Sequence, residues 1–89
     1  MSQFEKILLA ILSGTRDSNI QFADLQTVLI KLGFQCRVRG DHFIYTRDGI
    51  AEIINLQPTS NRKAQPYQVK QVRNILFRSQ LGAAIYHQV

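Results

Sequence analysis

The residues of this chain best suited to chemistry lie in segment 39–45, RGDHFIY, with His42 at its centre. Imidazole has a pKa of about 6.5, so a histidine can take the proton from a ribose 2′-hydroxyl, which then attacks the neighbouring phosphorus. Arg37 and Arg39 lie beside it in sequence and would hold the phosphate and stabilise the charge that develops there. Gly40, without a side chain, lets an RNA backbone approach closely. The segment therefore predicts metal-independent RNA cleavage, and the alternative is an ordinary, half-exposed strand histidine.

Other kinds of active site have little support in the sequence. It has two histidines and one cysteine, no G-x-S-x-G, P-loop or H-x-x-x-H motif, and no closely paired carboxylates. A catalytic triad, a metal site and a nucleotide cradle are therefore not expected, and no cofactor is predicted. Cys36 lies in an apolar-alternating run with no base near it, so we interpret it as a small buried hydrophobic residue and not as a nucleophile.

The charge of the chain is unevenly distributed. Residues 1–52 hold six basic and six acidic side chains, whereas residues 53–89 hold five basic side chains and no acidic one. These five are Arg62, Lys63, Lys70, Arg73 and Arg78. A local basic excess of this kind predicts a surface for a polyanion such as nucleic acid. The alternative is a solvated basic face that keeps the protein soluble.

The length and the apolar runs limit the organisation. A chain of 89 residues predicts one domain, 1–89, with a modest core that leaves little room for a deep enclosed pocket. The apolar run 7–12 is too short to cross a membrane, and a single preceding Lys and no A-x-A-like site argue against a signal peptide. A lone cysteine suits a reducing compartment, so we expect a cytoplasmic protein with no membrane partner.

Two helices are predicted before residue 34. Ser2 and Glu5 have capping-box spacing, and the apolar residues that follow recur at helical intervals until Gly14. A second helix is predicted to begin between residues 20 and 23. It ends near Gly33, a natural C-terminal glycine. Segment 1–18 is thus an additional helix and turn that precede a core domain at 20–82.

Three strands and a last helix follow. Phe34, Cys36 and Val38 alternate with polar residues, which predicts a half-buried strand with one basic face. Further strands are predicted at about 41–47 and 50–56, joined by Asp48-Gly49 in a type I′ turn, in which both residues have positive φ. After a polar loop, 57–65, the last helix is predicted to start at Pro66 and to end at Gly82, leaving 83–89 as a tail. Its predicted buried positions are Val69, Val72, Ile75, Leu76 and Ser79.

The order α-α-β-β-β-α predicts an α+β fold with a three-stranded antiparallel sheet. Its central part, α-β-β-β-α, has the order of double-stranded-RNA-binding domains. One face of the sheet would carry the helices and the other would be open. The cations Arg62 and Lys63, next to the start of the last helix, and Lys70 and Arg73, on one exposed stripe of it, would then bind RNA phosphate. An acidic protein partner covering the same surface is the alternative.

Several segments together resemble the HicA (YcfA-like) toxin family. The family pattern is a helix ending in G-F, a strand and then G-S-H-x-I-[YF], and this chain has Leu32-Gly33-Phe34 and RGDHFIY at 39–45. Segments EIINL at 52–56 and PYQVKQVR at 66–73 resemble the family's third strand and the start of its last helix. The resemblance covers about residues 20–82.

The resemblance implies a double-stranded-RNA-binding-like fold, endoribonuclease action on mRNA with His42 as the catalytic histidine, and neutralisation by a HicB-type antitoxin. Two alternatives stay open: a non-catalytic RNA-binding module, as in a degenerate toxin, and a protein-interaction module. Asp41 stands where the family usually has Ser, and an acid there would hold the imidazole but repel phosphate. Phe43 stands where the family often has His.

Overall fold

The computed structural model describes residues 2–81. Its elements are α1 (Gln3–Ser13), α2 (Phe22–Lys31), β1 (Gln35–Arg39), β2 (His42–Arg47), β3 (Ile50–Leu56) and α3 (Pro66–Arg78). The predicted α+β order is confirmed, with an extra helix before an α-β-β-β-α unit and an open antiparallel sheet. The predicted tail at 83–89 lies outside the described residues.

The start of α1 agrees with the sequence pattern because a capping box sets it. The hydroxyl of Ser2 accepts from the Glu5 backbone N–H (3.1 Å), and the Glu5 carboxylate accepts from the Ser2 N–H (3.0 Å). The hydrogen bond from the Ser2 N–H to the carboxylate holds the pKa of Glu5 below its usual value. At the other end of α1, Gly14 has φ 74°, the left-handed conformation in which glycine carries no Cβ penalty.

The predicted end of α3 at Gly82 is wrong, because the helix stops at Arg78. Ser79, predicted on the buried face, is the C-cap, and its hydroxyl donates to the Ile75 carbonyl (2.8 Å). Gln80 then takes a positive φ of 65°, which ends the helical path. The earlier stop therefore coincides with the left-handed conformation of Gln80, directly after the C-cap.

The core lies between the three helices and one face of the sheet. Fully buried residues come from all six elements except β1. They include Leu8, Ile11, Leu25, Leu29, Tyr45, Ile54, Leu56, Val69 and Leu76. The helical stripes predicted from the apolar spacing are therefore the faces that pack. Within residues 2–81, no helix has the length and apolar character needed to span a membrane.

The three strands form an antiparallel meander in the order β1-β2-β3. The predicted type I′ turn at Asp48-Gly49 is wrong, since Gly49 has φ 86° but Asp48 is not among the residues with positive φ. Gly49 alone takes the left-handed conformation. The pairing of β2 with β3 also shifts between Tyr45 and Arg47, so the strands are irregular beside this turn.

Strand β1 is exposed along its whole length, which corrects the predicted half-buried strand. Phe34, just before it, is buried, but Cys36 is exposed and Val38 is 56% exposed. Val38 pairs with Phe43 and Cys36 with Tyr45, so both side chains point to the helix side as the alternation predicts. They stay exposed because β1 packs mainly on β2, at the edge of the sheet, beyond the area that the helices cover.

Candidate functional site

The open face of the sheet brings together three of the predicted site residues. His42 is the direct partner of Arg39, and Arg37 is the direct partner of Ile44. Directly opposed side chains lie on the same face with Cβ atoms about 5 Å apart, and residues two apart on a strand share a face. Since Tyr45 points into the core, His42, Arg37 and Arg39 all project from the opposite, uncovered face.

The His42 imidazole is half exposed, with 48% of its side chain accessible. Its Nδ1 lies 3.1 Å from Oδ1 of Asn55, on the neighbouring strand. Its Nε2 lies 3.6 Å from Oδ1 of Asp41, a distance that suits an ion pair but is too long for a hydrogen bond. The ring is therefore held on one side and faces both a carboxylate and solvent on the other.

Asp41 reaches the imidazole instead of pointing away from it. As a residue of the β1–β2 turn, it is free of the strict strand alternation that would separate it from His42. Its Oδ2 accepts a 2.6 Å hydrogen bond from Nε2 of Gln57, so the carboxylate is fixed beside the ring. A fixed carboxylate next to Nε2 attracts an imidazolium and repels a phosphate.

Gly40 and Arg62 are brought together by the fold. Gly40 has φ 62°, and a Cβ built on it would meet no atom within 4 Å, so the backbone here is open to solvent. Gly40, Asp41 and Arg62 line one cleft of about 580 Å³ between the β1–β2 turn, the start of α2 and the loop at 58–62. Arg62, one of the four cations near or on the last helix that were predicted to bind RNA phosphate, thus lies near segment 39–45.

Of the other three cations predicted there, Lys63 and Arg73 are bonded to side chains from the first part of the chain. Nζ of Lys63 donates to the Asn19 side chain (2.7 Å). Arg73 binds both carboxylate oxygens of Asp17 (2.9 and 3.1 Å) and the Ile11 carbonyl (3.1 Å), with 15% of its side chain exposed. The predicted exposed stripe is therefore wrong for Arg73, whose guanidinium binds the last turn of α1.

The basic excess of residues 53–89 is partly neutralised in space. Arg78 bonds to Glu52, and Arg73 to Asp17, so acids from the first part of the chain pair with cations of the second. Within residues 2–81, Arg62 and Lys70 are exposed and form no ion pair. Among the predicted RNA-binding cations within residues 2–81, Arg37 and Arg39 on the open face are likewise exposed and in no ion pair.

Three polar residues at the site were not predicted. Asn55 binds His42, Gln57 binds Asp41, and Gln68 is the one buried polar residue among those described, with 5% of its surface exposed. Asn55 had a usable signal, because it alternates with the apolar Ile54 and Leu56 and therefore belongs on the open face. No sequence signal indicated that Gln68 is buried, because a glutamine beside the apolar Val69 in a helix is usually exposed.

A shallow apolar groove lies on the other side of β1. It has a volume of about 520 Å³, and Ile30 and Val38 are exposed within it. The Tyr45 hydroxyl beside it is buried and has no hydrogen-bond partner within the described chain, and burial raises the pKa of this phenol. Two further large side chains, Tyr67 and Phe77, are exposed on α3.

No three His, Cys, Asp or Glu side chains are grouped as metal ligands in the part of the chain from 2 to 81.

No family model matches the chain, and neither curated proteins nor solved structures gave a significant match. The fold and the geometry around His42 are therefore the grounds for a functional proposal.

Proposed function

We propose that this protein is an endoribonuclease toxin of the HicA type, which cleaves mRNA with His42 as its base. The observation that carries the proposal is the position of the imidazole. His42 is half exposed on an uncovered sheet face, held at Nδ1, with Arg39 directly opposite it on β1. This arrangement places a proton acceptor next to two cations on a surface that an extended RNA strand can reach.

In the proposed reaction, His42 takes the proton of a ribose 2′-hydroxyl. The 2′-oxygen attacks the adjacent phosphorus, and the bond from phosphorus to the 5′-oxygen breaks. The products are a 2′,3′-cyclic phosphate and a 5′-hydroxyl, whose proton comes from water, while the imidazolium returns its proton to solvent. Arg37 and Arg39 stabilise the negative charge on the phosphate oxygens. The step needs the 2′-oxygen, phosphorus and 5′-oxygen in line, which single-stranded RNA adopts more readily than a rigid A-form helix.

The toxin proposal includes a cytoplasmic location and a HicB-type antitoxin, as the resemblance in the sequence suggests. Two kinds of exposed side chain near β1 can contact a protein partner: the basic Arg37 and Arg39 on the open face, and the apolar Ile30 and Val38 in the groove between α2 and β1. An acidic antitoxin on the open face would inhibit by covering His42.

Asp41 favours a second candidate function, a non-catalytic RNA-binding module. Its carboxylate lies 3.6 Å from the nitrogen that would act as base, where it opposes the approach of a phosphate. In this case the protein binds RNA with an affinity that falls as salt rises, because phosphate contacts release counterions, but it leaves the RNA intact. A module specialised for protein binding, the third candidate, would use the groove at Ile30 and Val38 and show no affinity for RNA alone.

The decisive test incubates the purified protein, His42→Ala and His87→Ala with an end-labelled single-stranded RNA. Cleavage by the native chain and by His87→Ala but not by folded His42→Ala, with 2′,3′-cyclic phosphate ends, supports the proposal. Equal cleavage by His42→Ala would reject the mechanism. Salt-dependent binding without cleavage by any variant would identify the RNA-binding module. Induced expression with growth and mRNA integrity followed together tests the toxin role.

A further inference from the structure

The end of β3 and the residue after it carry the two side chains that contact the side chains of Asp41 and His42. Leu56 is fully buried, so its neighbours Asn55 and Gln57 point away from the core toward the open face. Asn55 contacts His42 through Oδ1 (3.1 Å to Nδ1), and Gln57 contacts Asp41 through Nε2 (2.6 Å to Oδ2). The imidazole and the carboxylate are thus each held by one side chain of the same short segment.

Buried Gln68, in the first turn of α3, holds the backbone of that segment. Its Oε1 accepts from the Gln57 N–H (3.3 Å), and its Nε2 donates to the Asn55 carbonyl (3.4 Å), so the amide spans Leu56. Gln65 adds a bond from its Nε2 to the Gln57 carbonyl (2.9 Å). A buried amide that bonds to the backbone both before and after Leu56 limits how far the end of the strand can move.

We propose that Asn55 is a positioning residue that selects the Nδ1–H tautomer of His42, and that Gln68 fixes Asn55 through the backbone. A carbonyl oxygen only accepts, so the short contact with Oδ1 requires the hydrogen on Nδ1. Nε2 then carries the lone pair and faces solvent and Asp41. The catalytic meaning of this tautomer rests on the proposed ribonuclease function, since Nε2 would be the base. The presence of the tautomer does not depend on that function.

The reversed orientation of the Asn55 amide would require the other tautomer of His42. If the Asn55 amide were reversed, its nitrogen would donate to Nδ1, and the hydrogen would lie on Nε2, facing Asp41 at 3.6 Å. That distance is outside hydrogen-bond range. Gln57 also holds the other oxygen of Asp41 at 2.6 Å, which keeps the carboxylate from closing on Nε2. The described geometry therefore favours the Nδ1–H form, whereas an exposed histidine side chain in water favours Nε2–H.

Long-range ¹H–¹⁵N NMR of the imidazole nitrogens in the intact chain tests the proposal, at a pH where His42 is neutral. His87→Ala assigns the signals, because the chain has two histidines. We expect the Nδ1–H form in the native protein. Asn55→Ala should lower the ratio of Nδ1–H to Nε2–H by about two- to ten-fold, the effect of one neutral hydrogen bond. Asn55→Asp, which keeps an acceptor, should restore it, and Asn74→Ala, exposed on α3, is the matched control.

A native Nε2–H signal, or a ratio that Asn55→Ala leaves unchanged, would overturn the role of Asn55. Gln68→Met tests the second part, since it keeps the length of the side chain but loses both hydrogen bonds. It should lower the same ratio in a protein that is still folded by circular dichroism, whereas Gln71→Met, exposed on the same helix, should not. An unchanged ratio in Gln68→Met would remove Gln68 from the proposal.

Cleavage assays separate this inference from the proposed function. If the native protein cleaves RNA, Asn55→Ala should lower kcat with little change in KM, because Asn55 acts through His42, and Asn55→Asp should recover part of kcat. If the native protein shows the Nδ1–H tautomer but no cleavage, the positioning by Asn55 stands and the ribonuclease proposal fails. If the native protein cleaves RNA but shows the Nε2–H tautomer, the ribonuclease proposal stands and the positioning by Asn55 fails.

Discussion

Arg39 on the open face of the sheet and Arg73 between α1 and α3 are chemically alike, but their surroundings are opposite. Arg39 is exposed on an edge strand, next to His42. Arg73 is mostly buried and binds a carboxylate and a helix carbonyl. The difference shows that the fold, and not the charge of the sequence neighbourhood, decides whether an arginine has an internal acceptor or stays exposed.

The largest expected effect is at the open face. His42→Ala should lower the rate of RNA cleavage by about 10²- to 10⁴-fold, the usual contribution of a positioned general base, with little change in stability. Single-turnover cleavage of a labelled RNA measures the rate, and urea unfolding measures the stability. A stability loss that accounts for the lost activity would mean that His42, like Arg73, has a structural role.

Arg73→Ala should have its main effect on stability. Removing the guanidinium leaves Asp17 and the Ile11 carbonyl without their partner in a mostly buried place, at a cost of about 2–3 kcal/mol in the free energy of unfolding. Urea denaturation measures this, with Lys70→Ala as an exposed control that should change stability by less than about 0.5 kcal/mol. Unchanged stability together with weakened RNA binding would contradict the structural role.

Arg78→Ala should cost less than Arg73→Ala although each removes one ion pair. Arg78 and Glu52 are both well exposed, and exposed pairs contribute about 0–1 kcal/mol. The same urea experiment, repeated at high salt, should abolish most of this effect. A loss as large as that of Arg73→Ala would show that exposure does not separate the two pairs.

Arg37→Ala and Arg39→Ala should change RNA binding without changing stability. For single-stranded RNA, each lost phosphate contact should reduce the slope of log affinity against log salt by about 0.7. Fluorescence anisotropy at several salt concentrations gives the slope. Lys63→Ala, whose ammonium binds Asn19, should leave the slope unchanged, and an equal reduction there would extend the RNA surface to the side of the fold that we consider structural.

The smallest expected effect is a gain. Asp41→Ser removes the carboxylate beside Nε2 and should raise RNA affinity by a few-fold at low salt, because a charge repulsion at a half-exposed site is worth about 1 kcal/mol at most. The gain should shrink as salt is added. A lower affinity in Asp41→Ser would mean that the carboxylate supports RNA binding.

Much of the fold follows from local patterns. Ser2 and Glu5 predict the start of α1, and Pro66 predicts the start of α3, because caps and backbone restrictions act within one turn. The alternation along β2 predicts that His42 lies on the face opposite Tyr45. Such predictions succeed because side-chain direction repeats with the period of the element, whatever the rest of the molecule does.

The partners of the site residues could not be predicted in this way. A regular continuation of the Arg47–Ile50 pairing would place His42 opposite Asn55, but the irregular segment shifts the register so that Asn55 pairs with Ile44. The shift keeps Asn55 on the same face, and its side chain reaches His42 diagonally. Alternation alone therefore gives the face, whereas the contact depends on the pairing of two strands.

Sequence patterns alone predict the order of the elements, most of the buried faces of the helices, and a histidine at the start of the strand that follows Arg37 and Arg39. The exposure of β1 on both faces, the pairing of Arg73 with Asp17 and the bonds from Gln68 to the end of β3 follow only from how distant parts of the chain pack together. The physical reason is the range of the interactions. Periodicity and capping act over a few residues, while burial and ion pairing join positions far apart in the chain, such as 17 and 73.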